Sequence, residues 1–239
     1  MKRLTCQIDS IDYLNEDTRR VFLKIPPGEQ LHFKAGQYLE IVLPTKKCPF
    51  SIASAPDLED LIELHVRPTP GSEDSVEIEA LLDTTSEVII EIPKGDCFID
   101  SPPANSLVLI AASTGITQMK SIIEHLLPAG VKTPIYLYWG VLKDSDLYLS
   151  PLCESWQAQY PNFKYIPVVS EPALSPDWTG RTGLVGQVAL TDFPNLSDVT
   201  VFVSGGPAMV YATLDAFVAN GMSEASMRSD IFSYAPRTV

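Results

Sequence analysis

Apolar and polar positions alternate through the first hundred residues and then cease to alternate. Residues 2–13 are mixed and carry Thr and Ile, as a first strand would. In 18–25, Val21, Leu23 and Ile25 alternate with Phe22 and Lys24, and Pro26-Pro27-Gly28 ends the run. Gly36 precedes a strand over 37–43, which Pro44 closes. Residues 49–54 make the next strand. Pro49 has no N–H for a neighbour, which places this stretch at a sheet edge or rim. Ala55-Pro56-Asp57 turns the chain into 61–67, whose alternation predicts a half-buried strand. A polar loop over 68–75 leads to a short helix bearing Val76, Ala80 and Leu81. A strand over 87–92 follows, ended by Pro93-Lys94-Gly95. Six short strands at this spacing predict a small antiparallel β-barrel over 1–101. The stretch 100–106, rich in breakers and poor in apolar residues, reads as a domain boundary.

The second half has a different pattern. Residues 107–112 are continuously apolar, as in a strand buried on both faces. Ser113-Thr114-Gly115 breaks the run, and a helix follows with Ile116, Met119, Ile122, Ile123 and Leu126 on one face. Further strands fall at 134–141, 163–169 and 199–203. Ser150-Pro151 starts a helix whose stripe is Leu152, Trp156 and Tyr160, and a short helix spans 182–190. Ser204-Gly205-Gly206 turns the chain into a helix that begins at Pro207, buries Val210, Leu214, Phe217 and Val218, and stops at Asn220-Gly221. Residues 229–234 read as a last strand. Strands alternating with helices predict a Rossmann-like α/β domain with a parallel sheet over 106–239.

In such sheets ligands bind beyond the carboxyl ends of the strands, at helix N-termini where free N–H groups attract phosphate. The turns 113–115 and 204–206 both occupy that place. Neither is a Gly-x-Gly-x-x-Gly fingerprint, and close packing of strand on helix explains Gly115 equally well.

Composition narrows the partners. The chain has 239 residues, 45% hydrophobic and 20% charged, enough for two moderate domains with real cores. Lys plus Arg is 17 against 30 Asp plus Glu, a net charge of -13, which argues against nucleic acid and weakly against anionic membranes. Cys6, Cys48, Cys97 and Cys153 are too scattered for a zinc or iron–sulfur site, so no metal is expected. No apolar run is long enough to span a bilayer; Met1-Lys2-Arg3 runs into a polar strand rather than an export signal, and with the scattered thiols this predicts a cytoplasmic protein.

Four pieces occur in order: Gly36-Gln37-Tyr38, Cys48-Pro49-Phe50-Ser51, Ala112-Ser113-Thr114-Gly115 and Ser204-Gly205-Gly206-Pro207-Ala208-Met209. Over essentially the whole chain this resembles the ferredoxin–NADP reductase superfamily, and within it the small standalone NAD(P)H:flavin oxidoreductases. Residues 33–38, 62–66, 138–140, 178–183 and 229–234 share the likeness. The resemblance implies hydride transfer from NADH or NADPH to N5 of FMN, FAD or riboflavin, with release of the reduced flavin. It implies that Cys48, Pro49, Phe50 and Ser51 line the flavin, with Ser51 the catalytic hydrogen-bond partner of N5. His65 and Val66 would face the flavin, although His65 reads equally well as a strand histidine, and Phe232 and Tyr234 would shield it or belong to the core. Ser113, Thr114, Gly115, Lys143, Ser204, Gly205, Gly206 and Pro207 would meet the pyridine nucleotide.

The chain departs from the family pattern at three places. Cys48 stands where the family has an arginine on the flavin phosphate, which favours a flavin that exchanges over a prosthetic FAD. Ser204 stands where electron-transfer relatives often carry cysteine. No basic residue clearly follows Trp139-Gly140, where Leu142 and Lys143 lie, which leans toward NADH. A second reading is a flavoprotein that passes electrons to a separate oxygenase or iron–sulfur partner. A third is a relative that binds nucleotide without turnover.

Overall fold

The computed structural model describes residues 1–237 except 59 and 194. The chain divides into two compact units. One comprises Met1–Asp100 with Lys120–His125, and the other comprises Ser101–Met119 with the chain from Leu126 onward.

The first unit holds strands β1 (Lys2–Tyr13), β2 (Arg19–Lys24), β3 (Tyr38–Val42), β4 (Lys47–Ser51), β5 (Leu61–Val66) and β6 (Glu87–Lys94), with helix α1 (Glu73–Thr84) between the last two. The sheet order is β4-β3-β6-β1-β2-β5, antiparallel throughout. The outer strands meet at one end, where the Ala53 N–H beyond β4 donates to the Glu63 carbonyl in β5 at 2.8 Å. The sheet thereby curls into the expected barrel around Val21, Leu23, Leu39, Ile41, Ile62, Leu64 and Ile90. Pro49 lies in the edge strand β4, opposite Glu40, so its missing N–H leaves no gap in a central ladder.

The second unit holds β7 (Ser106–Ala112), α2 (Ile116–Leu126, its middle grouped with the first unit), β8 (Ile135–Val141), α3 (Ser150–Gln159), β9 (Phe163–Val169), β10 (Arg181–Thr182), α4 (Val185–Asp192), β11 (Val199–Ser204), α5 (Pro207–Ala219), β12 (Met227–Arg228) and α6 (Ile231–Tyr234). The sheet is parallel, in the order β10-β9-β8-β7-β11-β12. Leu107 to Ala111 are fully buried, as a strand covered on both faces requires. The chain leaves β7 for β8 on one side and returns to β11 on the other, so the order reverses at the β7–β11 pair. Among the described residues, no helix is long and apolar enough to cross a membrane.

Several expectations need correction. β5 is not half-buried, because Glu63 and His65 on its polar positions are buried with the rest, held in an ionic network described below. Helix α1 buries Ile78 and Leu82, and Val76 is exposed, because the Ser72 N-cap sets the helix phase by accepting from the Ser75 N–H. The buried side of α3 is Cys153 and Trp156, with Tyr160 capping its C-terminus. Thr182 belongs to β10, and the following helix starts at Val185. Val218 lies outside the buried stripe of α5. Residues 229–234 are not a strand. The short strand is Met227–Arg228, and Ser229 and Asp230 then offer carbonyls to the N–H groups of Phe232, Ser233 and Tyr234, winding the chain into α6. Short-range backbone hydrogen bonding here overrides the strand preference of Ile and Phe.

Candidate functional site

In the first unit a cavity of about 210 Å³ opens beside β4. It is lined by Cys48, Pro49 and Phe50, by Val66 to Thr69 at the end of β5, and by Ser72, Asp74, Ser75, Ile78 and Glu79 of α1 and its cap. The apolar side is Phe50, Val66, Ile78 and two prolines, and the polar side is hydroxyls, two carboxylates and the Arg67 guanidinium. Cations near it are already held. Arg67 binds Asp17 at 2.9 Å, Lys46 binds Asp74 and Glu77, and Arg19 binds Glu79 at 2.7 Å and also Asp83. Cys48 is buried, and burial followed by the Asp74 charge pushes its thiol pKa up, so it remains neutral at pH 7. The cations at this cavity are thus each engaged with a carboxylate.

Ser51 sits at the end of β4 opposite Tyr38, half-buried, outside that cavity lining. His65 does not face the cavity. Its ring is buried and lies 2.9 Å from a Glu63 carboxylate oxygen, while its neighbour Val66 is at the wall. Glu63 also receives Lys120 Nζ at 2.7 Å. Burial would raise the Glu63 pKa, but His65 and Lys120 outweigh it and hold the carboxyl at about 2. Burial lowers the His65 pKa, so the imidazole is neutral at pH 7.

In the second unit a cavity of about 460 Å³ lies beyond the carboxyl ends of β7, β8 and β9. Ala112 and Ser113, Gly140 to Leu142, Ser170, the segment 183–187 and one side of α5 form it. Ser113 has φ of 51°, an unusual backbone for a serine, and its carbonyl accepts the Trp139 indole N–H at 2.9 Å. Gly115 is needed for close approach, since a Cβ there would strike the Ser204 carbonyl. At Gly140 a Cβ would lie 2.6 Å from the Val185 side chain. The turns 113–115 and 204–206 thus pack directly on one another at the β7–β11 reversal, the place where open α/β sheets bind ligands.

Of the residues expected at the nucleotide, Ser113 lines this cavity. Gly115 and Ser204 form its support, and Gly206 and Pro207 open α5 as N-cap and first turn. Thr114 accepts the Thr117 hydroxyl at its carbonyl, and Lys143 precedes a 3₁₀ turn outside the lining. Phe232 is partly buried and packs on the Tyr211 ring against the second unit's core, and Tyr234 is exposed. Gly183 to Gln187, which lead into the first turn of α4, and Ala208, Met209 and Thr213 on α5 also line the cavity; the sequence likeness touched Gly183, Ala208 and Met209 but gave none of them a site role.

Two family models match: an oxidoreductase FAD-binding domain over 5–99 and an oxidoreductase NAD-binding domain over 109–215. The chain is 34% identical over 220 residues to the NAD(P)H-flavin reductase of Aliivibrio fischeri, covering 90% of this chain and 91% of that one. It is 34% identical over 233 residues to a CDP-6-deoxy-L-threo-D-glycero-4-hexulose-3-dehydrase reductase of Yersinia pestis, covering 97% of this chain and 69% of the relative. Among solved structures, a cytochrome P450 reductase of Amycolatopsis matches with a TM-score of 0.84 at 30% identity, over 96% of this chain and 69% of that one. The barrel, the parallel sheet and these relatives together make the chain a member of the ferredoxin–NADP reductase superfamily of oxidoreductases, in the group that includes NAD(P)H-flavin reductases.

Proposed function

We propose that this protein is an NAD(P)H:flavin oxidoreductase that takes its flavin as an exchanging substrate. The observation that carries the reading is the charge around the first cavity. Cys48, where the family has an arginine, is buried and neutral, and among the described residues Lys46, Arg67 and Arg19 near the cavity each already pair with a carboxylate, which disfavours a tight hold on a flavin phosphate. Phe50, Pro49 and Val66 support the ring, the hydroxyls of Thr69, Ser72 and Ser75 support its tail, and Ser51 lies at the strand end next to Phe50. A bound flavin supplies the hydride acceptor at N5. The chain supplies orientation and exclusion of water, and Ser51 supplies a hydrogen bond to that nitrogen.

The second cavity takes the pyridine nucleotide, with the turns 113–115 and 204–207 at its phosphates and nicotinamide. NADH is the better donor. Glu171 follows the cavity residue Ser170 at the end of β9, where a carboxylate suits a ribose hydroxyl and repels a 2′-phosphate. The nearby Arg181 is already bound to both carboxylate oxygens of Asp192, each at 3.1 Å.

A second reading is supported by the Yersinia and Amycolatopsis relatives, both named as reductases of another enzyme: the protein hands electrons to a separate oxygenase or iron–sulfur partner. Steady-state oxidation of NADH and NADPH with riboflavin, FMN and FAD separates the two. Saturable dependence on added flavin supports the first reading. Turnover independent of added flavin, requiring a protein acceptor, replaces it with the second.

A further inference from the structure

Behind the strand that carries Ser51, the first unit buries a chain of charges. Lys120 Nζ donates to Glu63 Oε2 at 2.7 Å, to Glu124 Oε2 at 2.9 Å and to the Ala53 carbonyl at 3.3 Å. The other Glu63 oxygen meets His65. The side chains of Lys120, Glu63 and His65 are 6%, 8% and 0% exposed. The same residues fasten the backbone that leaves β4. The Ala53 N–H donates to the Glu63 carbonyl, the Glu63 N–H donates to Ser54 Oγ at 3.2 Å, and Ser121 Oγ donates to the Ser54 carbonyl at 2.8 Å. Ala53 is thus held at both its N–H and its carbonyl, two residues beyond Ser51.

A buried lysine–glutamate pair is a poor route to stability, since desolvation of the two charges cancels most of their attraction and an apolar pair of similar size would serve as well. It does fix position, because each partner's hydrogen bonds fail if the other shifts. We propose that Glu63 and Lys120 are positioning residues for flavin reduction. They hold the Ala53–Ser54 backbone so that Ser51 keeps its place at the ring edge. The inference rests on the reading of Ser51 as the partner of N5. Sub-ångström placement at a reacting centre governs rate, which is how a network two residues away can act.

The test uses the whole protein with NADH and FMN. Glu63→Gln/Lys120→Met removes the central pair together; Glu124, partly exposed and with a pKa already raised by burial, loses its cation and takes up a proton more readily. The expected result is a melting temperature close to that of the parent, a kcat lower by at least about tenfold, and an unchanged KM for NADH. Lys120→Arg, which keeps the cation, restores most of the rate. Ser51→Ala in the double-variant background costs less than in the parent, because the two act through one contact. Parental kcat in the folded double variant overturns the proposal. If the double variant does not fold, Ser121→Ala removes one fastening only; a drop of about threefold in kcat is expected, and no drop overturns the proposal. If Ser51→Ala itself leaves the parent's rate unchanged, the reading of Ser51 fails, whatever the network variants do.

Discussion

Residues 48 to 51 carry the chemistry assigned to the barrel, and each does so by its direction. In β4 successive side chains alternate, so Cys48 enters the core, Pro49 is exposed, and Phe50 and Ser51 are half-buried. Ser51→Ala deletes one hydrogen bond at the site of reduction. Flavin reduction should slow by roughly tenfold, the rate equivalent of about 1.4 kcal/mol, with an unchanged circular dichroism melt. Stopped-flow reduction of FMN at saturating NADH checks this, and an unchanged rate removes Ser51 from the mechanism. In the second unit, Glu171→Arg should raise kcat/KM for NADPH relative to NADH by about tenfold or more, by replacing a repelling carboxylate with a phosphate partner. A ratio that does not move would show that β9 does not face the 2′ position. The motif residues were legible from the sequence because their order along the chain matches a known pattern. The orientation of His65 was not, since a flavin contact and a strand histidine read alike from the sequence until Glu63 is seen bonded to its ring and Lys120 to Glu63.

At the level of elements, two contacts dominate. The turn after β7 and the turn after β11 touch at Gly115 and Ser204, where there is room for no side chain. Gly115→Ala should cost about 1–3 kcal/mol by overpacking against backbone that cannot move aside, and should raise KM for NADH by displacing Ser113 and Thr114. Urea unfolding and steady-state kinetics read the two effects, and a variant of parental stability would contradict the packing. The second contact is β5 with the segment Lys120–His125. His65 has a lowered pKa in the fold, so the unfolded chain binds protons more readily below about 6.5. Stability is complete above that pH and falls as the pH drops. Glu63, held at about 2, adds a further loss only below about 4.5. Glu124, whose pKa burial raises, acts in the opposite direction as the pH falls toward about 4.5, so it is the comparison with His65→Asn that isolates His65. The melting temperature should fall between pH 7 and pH 5, and His65→Asn should flatten that slope. An equal slope in both proteins would place the proton elsewhere. β5 also shows where periodicity misleads, because alternation assigns Glu63 and His65 to solvent while a buried cation reverses the assignment.

For the whole molecule, the change from alternating to continuous apolar runs near residue 106 made the two architectures legible, since one sheet faces its own core and the other is covered by helices. Strand order was not legible. β6 inserts between β3 and β1, pairing Lys2 with Ile92, and no local pattern encodes so distant a partner. The end of the chain was misread for the opposite reason, as short-range backbone hydrogen bonds to Ser229 and Asp230 wind up residues whose types favour a strand. The central claim concerns what the whole protein does with its flavin. The direct measurement is anaerobic: reduce FMN with excess NADH and the purified protein, pass the mixture through an ultrafilter, and record the absorbance of filtrate and retentate. An exchanging flavin predicts reduced FMN in the filtrate at its free concentration, with a retentate nearly free of flavin. Reduced flavin kept stoichiometrically with the protein would contradict the claim.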